Sequence, residues 1–385
     1  MSTVYIELIV QGIVIVGLIL AIIVFLVTTL ITLGVGIITR NKEKVTRWLY
    51  KLRSQIIVVV SLILVVSIMV IISQMVAYTP PILGEDGEVL ENSIASLEKI
   101  NIDGSDQWVT IRGENKNNPV LLFLAGGSGG TQLAATRSQL RRLEKHFVVV
   151  NWDQPGSGKS YHGVDIDTLT PECYISDGHK LTTYLMERFN KEKIYIMGES
   201  WGSALGTWLV KQYPELYHGF IGTGQMVAFE ETELACYEKA LEIAKDRGDT
   251  DKVNELKSQG APPYYGDDVT WKSSTYLMYL HNAMAKNSVI APTDHNTIKD
   301  VIGPEYGLYD KVNYFRGIVK TFNQVYQQLY EIDLRKQATE LEVPVYFFIG
   351  RHDINAPPRL AEEYYNMIDA PKKELVWFEH SGHGP

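Results

Sequence analysis

Three residues far apart in this chain carry the side chains of an acyl-transfer centre. They are Ser200 in Gly198-Glu199-Ser200-Trp201-Gly202, Asp353 in Gly350-Arg351-His352-Asp353, and His383 in Ser381-Gly382-His383-Gly384. A serine hydroxyl is a weak nucleophile until an imidazole takes its proton and a carboxylate holds that imidazole in place. The chain order Ser, Asp, His is one in which such a triad is built. Ser200 follows an apolar run at 194–197 and precedes a helix-like run at 204–212, so the pentapeptide reads as a sharp strand-to-helix turn whose small flanking residues clear a strained serine. Asp353 and His383 each follow a strand-like run, ending at Ile349 and Phe378, which puts both on loops at the carboxyl ends of strands. His352 and His380 compete for the role of base, and His380 sits too near its strand end to reach as far as His383.

The same chemistry needs N–H donors for a developing oxyanion. Gly126, Gly127, Gly129 and Gly130 follow the apolar run at 120–124, and the N–H of Gly127 is expected to join that of Trp201. A phosphate cradle is the competing use of such a loop, but neither G-x-G-x-x-G nor Walker A is completed there. Gly158-Lys159-Ser160 fails as a Walker A end because Asp153 stands where a glycine is required. Cys173 and Cys236 are the only cysteines, have no metal or redox spacing, and are expected to stay unpaired. The mechanism calls for no metal and no organic cofactor.

Elements able to position these residues are legible as compact apolar runs at 108–112, 120–124, 147–151, 193–197, 220–222, 343–349 and 375–378. Amphipathic or capped segments such as 132–145, 182–190 and 358–367 separate them. Near-continuous apolar strands imply burial on both faces, hence an α/β sandwich with a mostly parallel sheet. Between 224 and 341 the strand signal stops; Leu234, Tyr237, Leu241 and Ala244 fall on one helical face closed by Gly248, and tyrosines are frequent. A helical insertion here is expected to cap the carboxyl ends of the strands, where open α/β sheets hold ligands. The domain reading is therefore a first core part at 92–223, a helical cap at 224–341 and a second core part at 342–385.

Ahead of this body, residues 12–38 and 56–78 contain no charged side chain, and a helix of ~20 apolar residues spans a bilayer. Residues 1–78 read as a two-span membrane anchor followed by a linker at 79–91. The intervening segment 40–55 holds Arg40, Lys42, Lys44, Arg47, Lys51 and Arg53 against Glu43 alone, which places it in the cytoplasm and the hydrolytic body outside. Residues 79–385 hold 30 bases against 43 acids, a poor surface for nucleic acid. The expected partners are the lipid bilayer and a small substrate from the aqueous side.

Taken together with Ala125-Gly126-Gly127-Ser128-Gly129 and Asp153-Gln154-Pro155-Gly156-Ser157-Gly158-Lys159-Ser160, these motifs resemble the proline iminopeptidase-like branch of the α/β-hydrolase family from about Leu97 onward. The resemblance implies an α/β-hydrolase sandwich with a helical cap, and a serine hydrolase that often removes an N-terminal residue. It also implies carboxylates from the cap that hold the free amine, for which Glu230, Glu231 and Glu233 are the candidates. The chain departs from the family pattern where Ala125 replaces His, Ser128 replaces Pro, and Glu199 replaces Gly beside the nucleophile. Glu199 is thereby expected either to raise the pKa of the base or to meet a substrate amine. The family's helix beyond the catalytic His is expected to be lacking here. Serine at the elbow excludes the nucleophilic aspartate of epoxide hydrolases. Two alternatives stay open: a carboxylesterase or lipase-like acyl hydrolase on ester substrates, and a catalytically idle receptor or adhesion domain of the same fold.

Overall fold

The computed structural model describes residues 3–39, 42–292 and 297–385. Arg40 of the basic segment lies outside them. The chain divides into two compact units, Met1–Ala77 with Tyr306–Tyr309, and Tyr78–Glu305 with Asp310–Pro385.

The first unit is built on α1 (Thr3–Thr39) and α2 (Lys42–Met75). The stretch Ile15–Val35 and the whole of α2 are long and apolar enough to cross a membrane. Gln55 donates to the Thr28 hydroxyl at 3.0 Å across the pair, and that hydroxyl donates to the Val24 carbonyl at 2.8 Å. These two hydroxyl and amide groups are thus paired inside the helices, while Leu20, Leu30 and Leu64 are among many large apolar side chains left exposed. Water penalises such exposure at about 25 cal/mol per Å². The basic segment is helical from Lys42 onward, because its bases alternate with apolar residues that continue the pattern of α2.

The second unit is organised by one eight-stranded sheet: β1 (Ile94–Ile102), β2 (Ser105–Gly113), β3 (Val120–Leu124), β4 (Val148–Asp153), β5 (Ile194–Glu199), β6 (Tyr217–Thr223), β7 (Val345–Gly350) and β8 (Lys373–Phe378). The spatial order is β1-β2-β4-β3-β5-β6-β7-β8. β1 and β2 run antiparallel to their neighbours and every pairing from β4 to β8 is parallel. Every residue of β3 and β4 is buried, which is why both read as unbroken apolar runs. The edge strand β1 escaped the sequence reading because its first residues are only partly covered and alternate weakly.

Helices flank the sheet: α3 (Thr136–Gln139), α4 (Pro171–Phe189), α5 (Trp201–Gln212) and, after β7, α13 (Pro358–Met367). The helix expected over 132–145 shrinks to α3 and a 3-10 turn, Arg141–Lys145. α4 begins well before 182, since Pro171 supplies the first-turn proline that favours a start. Between β6 and β7 run α6 (Phe229–Asp246), α7 (Thr250–Gln259), α8 (Val269–Ala285), α9 (Thr297–Val301), α10 (Leu308–Arg316), a π-turn at Gly317–Thr321, α11 (Phe322–Tyr326) and α12 (Leu334–Gln337). The segment 79–91 packs onto this body: Arg112, in a buried 2.6 Å ion pair with Glu144, donates to the Thr79 hydroxyl at 2.8 Å and to the Pro80 carbonyl at 2.5 Å.

Candidate active site

Ser200 stands between β5 and α5 with φ 54° and ψ −121°, a backbone conformation that costs roughly 1–3 kcal/mol for a residue with a side chain. The turn is this sharp because its two glycines admit close approach. A Cβ on Gly198 would lie 2.1 Å from the Gly202 carbonyl oxygen, and one on Gly202 would lie 2.1 Å from the Leu124 carbonyl oxygen at the end of β3. The Ser200 N–H donates to Thr223 at 3.0 Å, joining the turn to the end of β6. Ser203 donates to the Ser200 carbonyl at 2.5 Å and accepts from the Met226 N–H at 3.0 Å, so the turn is also held from its helical side.

His383 enters from the loop after β8, and its Nδ1 lies 2.8 Å from Oδ2 of Asp353, on the loop after β7. The other oxygen of Asp353 accepts from the N–H groups of Asn355 and Ala356 at 2.8 and 2.9 Å. Three partners therefore orient a carboxylate whose side chain is 1% exposed. The imidazole lies against Gly224, the residue after Thr223, whose carbonyl holds the Ser200 N–H: a Cβ on Gly224 would lie 3.0 Å from Cε1 of His383. Burial opposes a charge on this ring, but the Asp353 charge, its hydrogen bond and the Glu199 charge outweigh it and raise the His383 pKa to about 9. The competing histidines are placed differently. His380 is exposed with Nδ1 3.3 Å from the Val289 carbonyl, and the His352 main chain pairs with Ser381.

The glycine loop after β3 lies against the elbow. A Cβ on Gly126 would come 3.1 Å from Cβ of Ser200, and Gly127 follows with φ 62°. Gln154 fixes this loop by donating to the Ala125 carbonyl at 3.0 Å while accepting from the Trp201 indole at 3.0 Å. Thr131 at the far end of the loop donates to Asp153, which also accepts from the Lys159 N–H at 2.8 Å. Asp153 is fully buried and its pKa rises to about 7, because desolvation outweighs those two hydrogen bonds. The Asp-Gln-Pro motif thus works as a brace for the glycine loop. Lys159, which could have marked a phosphate site, is sealed in a buried 2.6 Å pair with Asp310.

Glu199 points into the same region, accepting from Gln132 at 3.3 Å. The three acids that open α6 separate. Glu230 is exposed, and Glu231 gives one oxygen to Arg335 and the other to Arg359 at 2.7 Å each. Glu233 alone is buried, accepting from Tyr326 at 2.6 Å and from Tyr276. Burial lifts its pKa to about 7 against the pull of the two phenols. The signal for this was present in the sequence, since Glu233 shares the buried stripe of Phe229, Cys236, Tyr237, Ala240 and Ala244. Cys173 and Cys236 are both free thiols. Among the described residues, no group of three or more His, Cys, Asp or Glu is arranged to hold a metal.

A hydroxyl on a strained turn, an oriented imidazole and a glycine loop beside them are what attack on a carbonyl and stabilisation of the resulting oxyanion require. Residues 119–238 match the family model described as the alpha/beta hydrolase fold. The chain is similar to a probable aminopeptidase of Bacillus subtilis, 29% identical over 77% of this chain and 92% of that protein. It is also similar to a probable proline iminopeptidase of Leptolyngbya boryana, 23% identical over 70% of this chain and 82% of that protein. Among solved structures it superposes on the proline iminopeptidase of Mycobacterium smegmatis with a TM-score of 0.51 at 17% identity, over 75% of this chain and 91% of the other. The 2-hydroxy-6-oxo-6-phenylhexa-2,4-dienoate hydrolase of Rhodococcus sp. strain RHA1 superposes with a TM-score of 0.50 at 15% identity, over 76% and 92%. At such identities the superpositions speak for the fold, and one fold hosts many reactions.

Proposed function

We propose that this chain, an α/β hydrolase by fold, is a membrane-anchored serine aminopeptidase that removes the N-terminal residue of short peptides through an acyl-enzyme. The observation that carries the reading is the 2.8 Å contact of His383 with Asp353 beside a serine held at φ 54°. In this mechanism the Ser200 Oγ bonds to the scissile carbonyl carbon as His383 Nε2 takes the hydroxyl proton, and Asp353 steadies the imidazolium that forms. The N–H groups of Trp201 and Gly127 stabilise the oxyanion. Collapse breaks the C–N bond while His383 returns its proton to the departing amine. Water then repeats the sequence on the ester, releasing the amino acid and Ser200.

The names of the two sequence relatives support an aminopeptidase. Glu233 suits that specificity, a buried carboxylate in the insertion between β6 and β7 that accepts from two phenols, Tyr276 and Tyr326. Glu199, beside the nucleophile, raises the basicity of His383. The outward apolar faces of α1 and α2 support insertion in a membrane, and the bases from Lys42 to Arg53 support a cytoplasmic turn with the hydrolase on the other side.

The reading is tested on the full chain in detergent with aminoacyl arylamides, their N-acetylated forms and p-nitrophenyl esters. Cleavage that needs the free amine and drops about 10⁴-fold or more in Ser200→Ala is expected. Ser200-dependent cleavage of esters alone would reassign the protein as an esterase, and absence of any Ser200-dependent rate would leave the idle domain.

A further inference from the structure

A cleft of about 460 Å³ opens between α6, the end of α8 and the loop that carries Asp353. Four cationic side chains line it: Lys239, Arg247, Lys286 and Arg351. The one carboxylate on the wall is Asp353, and its oxygens are already taken by His383, Asn355 and Ala356. The lining is therefore richer in bases than in acids, in a body with 30 bases against 43 acids. Like charges gathered in one cleft repel, and an anion seated among them relieves that repulsion.

The four cations are unequally committed. Lys239 pairs with Glu242 at 2.7 Å in an exposed bridge that solvent weakens, and Arg351 is clasped by both oxygens of Glu379 at 2.8 and 3.0 Å, so Arg247 and Lys286 are the cations offered to an anion. Arg351 is pre-set by the Trp377 ring, whose centroid lies 3.7 Å from its guanidinium carbon. Arg247 leans on the Tyr279 ring at 5.8 Å, and Lys286 stands exposed past the end of α8. Met284 on the cleft wall lies 3.2 Å from where a Cβ of Gly382 would be, so the cleft touches both loops of the His-Asp pair.

We propose that this cleft is an anion site and that it takes the free carboxylate at the far end of a short peptide whose scissile bond lies at Ser200. The first half stands on the cleft alone; the second rests on the aminopeptidase reading. A guanidinium and an ammonium suit a carboxylate or a phosphate equally, so the substrate's own terminus and a free anion are distinguished by experiment.

Binding is measured on the full-length Ser200→Ala protein in detergent, with inorganic phosphate as the probe against chloride at equal ionic strength. A rise in melting temperature of about 3 °C is expected, and its loss in Arg247→Gln/Lys286→Gln and in the exposed single variant Lys286→Glu. Each variant's melting temperature without phosphate reports that it is folded. On the active chain, KM for a tripeptide is expected about tenfold below that for its C-terminal amide, with the ratio falling to about one in the same variants. A phosphate effect with equal KM values supports the anion site and overturns its assignment to substrate. No phosphate effect and equal KM values overturn the proposal. Absence of hydrolysis of both peptides counts against the aminopeptidase reading, while the phosphate measurement still decides the site.

Discussion

The His383 ring is held at Nδ1 by Asp353 at 2.8 Å while the charge of Glu199, the residue before Ser200, bears on it from the nucleophile side. Together they lift its pKa to about 9 despite burial. In the proposed mechanism only the neutral ring accepts the serine proton, so kcat/KM rises with pH along a limb centred near 9 rather than 6.5. Glu199→Gln removes one raising charge and is expected to move that limb to lower pH. A limb that stays fixed in the variant would deny Glu199 any part in tuning the base. Stability runs the other way. A pKa raised on folding contributes stability that is full below about 6.5 and is lost as pH rises through about 9, which thermal melts across that window will read.

The contact of Gly202 with the Leu124 carbonyl leaves no room for a methyl group. Gly202→Ala is expected to cost about 1–3 kcal/mol, lowering the melting temperature by roughly 5 °C. Because the strain falls on the residue two after Ser200, labelling by a fluorophosphonate should weaken by more than the loss of folded protein. Unchanged labelling and melting would mean that the turn is looser than its geometry.

Glu233, with its pKa raised from 4.5 to about 7 by burial, binds a proton more tightly folded than unfolded. Stability from this group is therefore greatest at low pH and declines as pH rises from 4.5 through about 7. Glu233→Gln removes that decline, so the variant gains on the parent at pH 8 and not at pH 4.5. Asp153 has the same sign and keeps its own share in both proteins. In kinetics, Glu233→Gln should raise KM about tenfold for substrates with a free amine and leave N-acetylated ones unaffected. Equal changes for both would remove Glu233 from amine recognition.

The charge bias of the segment from Lys42 to Arg53 gives the topology its test. Protease added to intact cells should digest residues 79–385, and the protein should stay with membranes through a carbonate wash. Protection of that part in intact cells, with digestion after lysis, would reverse the proposed orientation.

Local sequence is sufficient wherever one strand or turn carries its own signal. β3 and β4 are covered on both faces, so their apolar runs announced them, and Gly198 and Gly202 marked a turn that only small residues can make. The order of Ser200, Asp353 and His383 after the ends of β5, β7 and β8 followed from the same runs. The edge strand β1 alternates weakly and was missed, while the early start of α4 was legible in Pro171 and the helical spacing of Tyr174, Ile175, Leu181 and Leu185 and was not used.

What the linear order could not settle was which member of a group of like residues faces inward. His352, His380 and His383 lie within 32 positions; spacing from the strand end favoured His383, and the packing of the β7 and β8 loops supplies its 2.8 Å contact with Asp353. Glu230, Glu231 and Glu233 share one helical turn, yet rotation about the α6 axis exposes the first, gives the second to Arg335 and Arg359, and buries the third between Tyr276 and Tyr326. The cationic cleft is further still from sequence, since its charges come from α6, the end of α8 and the β7 loop. Residue type and spacing specify which groups a chain has available, because strand and helix periods are local. Their pairing depends on packing between segments 30 to 128 residues apart, and that is decided only when the sheet and the helices between β6 and β7 are assembled.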